Sequence, residues 1–248
     1  MDKQASEELL RIRILVVDDD AFTRKIVRRV LSDLGYADLS EMASAESALA
    51  LLQEQSFDLI ITDVQMPGIN GLELVRRIRT GQTGAVAESR VMVLTSFANT
   101  EVLGVAIALD VNGFLVKPMK PGIVQDKIAQ AMGERAVVKP AISYHSINTD
   151  LRTVQAPPQL EPDRPSADAS RPRTAEAERT TPKRRVSLAQ LQPGMVLGQR
   201  VVAADGALLL SVGHLLSRLN INRLLDLRSI LSDEFLWIVE AAEGTPPA

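Results

Sequence analysis

Residues 59–74, LIITDVQMPGINGLEL, decide the fold. Positions 59–62 form a short apolar, β-branched run of the kind that suits a strand buried on both faces. Asp63 follows it, and Asn70 stands as the N-cap of a helical pattern reaching about residue 80. A strand that feeds a helix through a short loop is a βα unit.

Working outward, the same unit recurs. Strands are expected at 12–17, 38–42, 59–62, 91–95 and 113–116, with helices near 21–34, 44–54, 70–80, 99–109 and 121–132. Ser44 is a second candidate N-cap, and Pro121 suits a first helical turn. Five strands and five helices in strict alternation predict an α/β, doubly wound (βα)5 unit over residues 10–133.

Composition limits the function classes. The chain has 248 residues, 46% of them hydrophobic but only 3% aromatic, so its core must be aliphatic. A net charge of −3 disfavours bulk attraction to nucleic acid or an anionic membrane. The absence of cysteine excludes disulfides, thiolate metal sites and thiol nucleophiles. The apolar run near the N-terminus meets Asp18 too soon for a signal segment or a membrane span, and no other stretch approaches a span, so a cytoplasmic protein is expected.

After the (βα)5 unit the composition changes. Residues 156–182 carry six prolines and no aromatic, and 134–183 reads as a Pro-rich, largely disordered linker whose first part, 134–155, is ambiguous and open to packing on the first domain. Order is expected again over 184–240. Ser187 would cap a short turn, Pro193-Gly194 would form another, and strands at 195–202 and 207–210 would flank an Asp205-Gly206 hairpin. Ser217 would cap a helix to about residue 228, and 235–239 would be a final strand. This is a small α+β module.

In an open α/β sheet, chemistry gathers beyond the carboxyl ends of the strands near the switch in strand order. Asp18 and Asp19 follow strand one, Asp63 follows strand three, Thr95 ends strand four and Lys117 ends strand five. Three crowded carboxylates repel unless a hard divalent cation sits among them, and oxygen ligands suit Mg2+. A hydroxyl and an ammonium beside them would hold the oxygens of an incoming phosphoryl group. Asp20 reads simply as a helix cap.

The blocks ILVVDDD (14–20), IITDVQMPGINGLEL (60–74), VMVLTS (91–96) and GFLVKPM (113–119), in this order and spacing, resemble the receiver domain of two-component response regulators, a flavodoxin-like fold. The resemblance implies that Asp63 accepts a phosphoryl group from a histidine kinase or phosphotransfer protein. It implies Mg2+ ligands at Asp18, Asp19, Asp63 and the main-chain carbonyl of Gln65, phosphate-binding switch residues at Thr95 and Lys117, and a coupled aromatic at Phe114. It implies a cis Lys117-Pro118 bond and leaves room for a homodimer. Phe97 would slow hydrolysis of the phosphate, and the basic run Arg24, Lys25, Arg28, Arg29 is either a solvated face or a kinase-docking one. Asp110-Val111 departs from the small pair common in the family and puts that turn's geometry in question.

Residues 102–109 hold no polar side chain, although a helix lying on a sheet should keep a polar outer stripe. Either the surface tolerates this, or a partner, a second receiver or the chain's own C-terminal module covers it. Leu191, Pro193-Gly194-Met195-Val196-Leu197, Asp205-Gly206, Leu208–Leu210, Gly213 and the Ile221/Leu224 helix, within residues 186–230, resemble the small domain that accompanies HD-GYP cyclic-dinucleotide phosphodiesterases. The hydrolase is not expected, because the chain has only His145 and His214, both read as surface residues. A non-catalytic interaction module is therefore the favoured output. A DNA-binding regulator is the alternative, against which residues 183–248 set seven basic and six acidic residues; a fragment regulating an HD-GYP-type phosphodiesterase is another.

Overall fold

The computed structural model describes residues 11–95, 100–133, 138–154 and 183–239. Five strands, β1 (Ile14–Val17), β2 (Leu39–Met42), β3 (Leu59–Asp63), β4 (Arg90–Thr95) and β5 (Gly113–Val116), form one parallel sheet in the order β2-β1-β3-β4-β5. Its helices are α1 (Ala21–Asp33), α2 (Ala45–Glu54), α3 (Gly71–Arg79), α4 (Thr100–Ala108) and α5 (Pro121–Gly133). Every expected element of this half is present, with ends shifted by one or two residues. Strands β1 and β3 are buried throughout because helices cover both faces, which their unbroken aliphatic runs require, while the edge strand β2 is half-buried.

The caps fall where the sequence places them. Asp20, Ser44 and Asn70 each accept a hydrogen bond from a backbone N–H in the first turn of α1, α2 and α3. Gly68 turns the β3–α3 loop at φ 71°, a left-handed conformation suited to glycine, and Glu46 anchors that loop by accepting from the Ile69 N–H at 3.0 Å.

The first part of the expected linker is folded. Residues 138–154 carry two short helices, α6 (Ala141–His145) and α7 (Leu151–Val154), laid along α3 and α4. Tyr144 is buried, and Thr149 donates to Glu73 at 2.7 Å while its carbonyl accepts from the Asn70 side chain. Residues 155–182, on which the rest of that expectation falls, lie outside the described residues.

The C-terminal region has an antiparallel sheet in the order β6-β10-β7, from β6 (Lys183–Ser187), β7 (Val196–Leu197) and β10 (Phe235–Val239), and a hairpin of β8 (Val201–Val202) with β9 (Leu208–Leu210). Helix α8 (Arg218–Asp226) starts at the Ser217 cap and stops two residues short of its expected end. Two expectations need correction. The single strand at 195–202 is two, because the chain bends where the Gly198 N–H donates to the Trp237 carbonyl at 2.6 Å; its first half joins β10 and its second joins the hairpin. Ser187 precedes a 3-10 turn but gives it no side-chain cap, its hydroxyl donating instead to Gln190. Strand β6, whose KRRVS sequence has no apolar alternation, is held by pairing with β10.

The C-terminal region lies on α4. The hairpin packs along that helix, and one aliphatic cluster runs from Val102, Leu103, Ala106 and Ile107 through Tyr144 to Leu209, Leu216, Leu224 and Ile238. The apolar helix is thus covered by the chain's own C-terminal region. Among the described residues no helix is long and apolar enough to cross a membrane.

Candidate functional site

The strand order reverses beside β1 and β3, which open a crevice at their carboxyl ends. Asp18, Asp19, Asp63, Gln65, Thr95 and Lys117 all line one cleft there of ≈ 330 Å3. Phe114, the seventh expected residue, is buried in the core below and does not line it.

Lys117 is the centre of the site. Its ammonium lies 2.6 Å from Asp63 Oδ1 and 3.1 Å from Asp18 Oδ2, so one cation bridges the ends of β1, β3 and β5. The Lys117-Pro118 bond is cis, and the Lys117 N–H donates to the Thr95 carbonyl at 2.9 Å. The other oxygen of Asp63 accepts from the Gln65 N–H at 2.8 Å, while Asp18 Oδ1 accepts from the Asp20 N–H at 2.9 Å.

Asp18, Asp63 and Thr95 are buried; Asp19 is exposed at the rim. Burial pushes the Asp63 carboxyl above its ordinary pKa, aided by the Asp18 charge and only partly countered by Lys117. Burial works to lower the Lys117 pKa, but the bonds and charges of Asp63 and Asp18 outweigh it and hold the ammonium raised. The result is a carboxylate close to one neighbouring cation, with limited competition from water.

The loop after β3 leaves little freedom. A Cβ on Gly71 would stand 1.9 Å from the Asp63 carbonyl oxygen, so α3 starts as close to the site as a backbone can come. Arg24, expected on a solvated or docking face, instead donates to the Asp18 and Asp19 carbonyls at 2.7 and 3.1 Å. It fixes the turn that presents both carboxylates.

The donor set facing the cleft is carboxylate oxygen with backbone carbonyls nearby, which fits a hard divalent cation such as Mg2+ and not a soft metal. Among the described residues no three His, Cys, Asp or Glu side chains stand together as a ready cage. Phe97 lies outside the described residues. His145 is exposed, but His214 is half-buried, with Nε2 3.3 Å from Asn220 Oδ1, because its turn stands against the start of α8. Burial lowers its pKa.

Sequence reading missed two buried groups outside the cleft. Arg79 donates to four carbonyls, those of Ala87, Ser89, Leu109 and Asp110, and so ties α3 to β4 and to the turn before β5. Asp110, flagged only as a departure, adopts φ 53° and turns its carboxylate inward. Its signal was a non-glycine residue where a left-handed turn was needed.

Comparison with known proteins follows the same boundaries. The family described as response regulator receiver domain matches residues 14–129. Chemotaxis protein CheY of Pseudomonas aeruginosa is 32% identical over 117 residues, which are 47% of this chain and 93% of that protein. Chemotaxis protein CheY-3 of Vibrio cholerae is 33% identical over 117 residues, 47% of this chain and 88% of that protein. Among solved structures, chemotaxis protein CheY4 of Vibrio cholerae is 30% identical, covering 49% of this chain and 98% of that one with a TM-score of 0.44.

Proposed function

The chain belongs to the response-regulator receiver family through residues 14–129, and from that premise we propose that Asp63 accepts a phosphoryl group from a sensor histidine kinase or phosphotransfer protein. The observation that carries this is the Lys117 ammonium held between the Asp63 and Asp18 carboxylates at the strand ends. In the transfer, an Asp63 oxygen forms a bond to phosphorus as the donor's nitrogen–phosphorus bond breaks, leaving an acyl phosphate on Asp63 and a free imidazole on the donor.

Lys117 and Thr95 would then meet the charge on the transferred oxygens. Asp18, Asp19, Asp63 and the Gln65 carbonyl would hold Mg2+, which when bound neutralises the carboxylates and the phosphoryl oxygens together. Phe22 and Ile26 are exposed on α1 beside the cleft, and their apolar surface supports donor docking on that helix. No separate catalytic role is assigned to the chain.

Residues 10–133 are, in this reading, the receiver, 134–183 the connection and 184–240 the output module. Thr95 ends β4 just before α4, and α4 carries the hairpin of the C-terminal region. A pull on Thr95 and a shift at Phe114 would reach that contact and switch the module. The likeness of residues 186–230 to the domain accompanying HD-GYP phosphodiesterases supports a non-catalytic interaction module. Its downstream partner would be a protein, or the module itself acting on α4.

The test is labelling. Acetyl phosphate with Mg2+ is expected to add one phosphoryl group to the purified chain, read by intact mass, and Asp63→Asn to abolish the addition. Equal labelling of the two proteins would overturn the proposal.

A further inference from the structure

Asp110 sits between α4 and β5, 1% exposed and at φ 53°, a conformation glycine takes freely and a side-chain-bearing residue takes at a cost. A buried carboxylate also needs partners, since an unpaired one is strongly disfavoured. Among the described residues, the three side chains that bond to that of Asp110 lie beyond residue 129, while the Arg79 charge acts on it from the receiver side. The Tyr144 hydroxyl donates to Oδ2 at 2.9 Å, the Lys139 ammonium pairs with Oδ2 at 3.0 Å, and the Asn220 amide donates to Oδ1 at 3.3 Å.

Asn220 does more than reach across. Its Oδ1 accepts from the Ser217 N–H at 3.0 Å and its own N–H donates to the Ser217 hydroxyl, so the residue touching Asp110 also closes the capping box that starts α8. On the receiver side, Arg79 grips the Asp110 carbonyl at 2.9 Å and ties it to α3. The carboxylate thus joins residues 139–144 and α8 at one buried point, and the backbone carbonyl of the same residue ties that point to α3.

We propose that Asp110 is the latch by which the receiver holds its own C-terminal region over α4, making that region the intramolecular occupant of the α4 face. Around the latch, Thr100 donates to Asp205 at the near end of the hairpin, and Lys127 pairs with Asp226 at the far end of α8. Those two pairs are partly exposed at the rim, whereas the Asp110 group is inside. Losing it leaves the rim pairs and the shared aliphatic cluster as what holds the region over α4. The inference rests on the phosphoryl-acceptor reading only for what releases the latch in the working protein.

Hydrogen exchange of the full chain, with no phosphoryl donor present, tests the latch apart from the chemistry at Asp63. Asp110→Gly keeps the left-handed turn and deletes the carboxylate; Asp110→Asn keeps the shape and removes the charge. Amides of α4 and of β8 and β9 are expected to exchange about tenfold faster in Asp110→Gly, and less so in Asp110→Asn, with β1 and β3 as protected as in wild type. Unchanged α4 protection, or faster exchange confined to residues 138–147, would overturn the proposal. If Asp110→Gly also loses protection in β1 and β3, the double variant Tyr144→Phe/Lys139→Met decides through the same α4 amides, and wild-type protection there overturns the latch. Labelling of Asp63 in the same variants reports separately on the acceptor.

Discussion

Asp63 has a different donor on each carboxylate oxygen, Lys117 on one and the Gln65 N–H on the other. The identity of both side chains at the cleft was legible, because a strand's carboxyl end is where parallel sheets expose polar groups. Glu73 on α3 was not singled out, since an acidic residue in a helix is ordinarily solvated. Burial would raise its pKa, but hydrogen bonds from Arg76, Thr149 and Arg77 outweigh that and hold it at about 2, against 4.5 for a free glutamate. A folded-state pKa depressed in this way gives stability that is present above pH 4.5 and is lost as pH falls toward about 2. Glu73→Gln is therefore expected to cost about 2 kcal/mol at pH 7, a figure reduced for solvent screening. Urea midpoints of the two proteins should converge between pH 4.5 and 2. A deficit that stays constant over that window would show that the charge of Glu73 does not hold residue 149 to α3.

Helix α4 shows how far an element can be read by itself. Its unbroken apolar run was visible and left open either a tolerated surface or a cover, and no local pattern says which surface would supply one. Gly104 supplies the missing detail: a Cβ there would stand 2.3 Å from the Leu208 carbonyl oxygen. In a free helix Gly→Ala gains about 1 kcal/mol of propensity. Against β9 the same methyl must push the hairpin away, and overpacking typically costs about 1–3 kcal/mol. Gly104→Ala is thus expected to lower stability in urea unfolding; a gain would mean that β9 does not rest on α4. Elsewhere the missed elements were those with weak patterns. Strand β6 is mostly charged and exists through its pairing with β10, and the expected strand at 195–202 breaks where Gly198 bonds to Trp237.

At the scale of the molecule, the receiver and the C-terminal region share one aliphatic cluster. A shared core couples the two parts on heating, because lifting the C-terminal region off α4 exposes apolar surface on both, even though local opening can precede that transition. Calorimetry of the full chain is expected to give a single transition whose van't Hoff and calorimetric enthalpies agree. Two resolved transitions would show that the contact is too weak to couple the halves. The scarcity of aromatics, read from composition, is met by an interior of Leu, Val, Ile and Ala, with Tyr144 as the buried aromatic at the junction.

Sequence alone determined the order of the five βα units, the caps of the first three helices and the clustering of Asp18, Asp63, Thr95 and Lys117. Those follow from short-range periodicity and from the rule that parallel strands all end at one edge of the sheet. Only the tertiary structure decided what covers α4 and why an aspartate occupies a left-handed turn. The partners of that aspartate stand as far as 110 residues away, and a contact over such a separation leaves no period in the chain to be read.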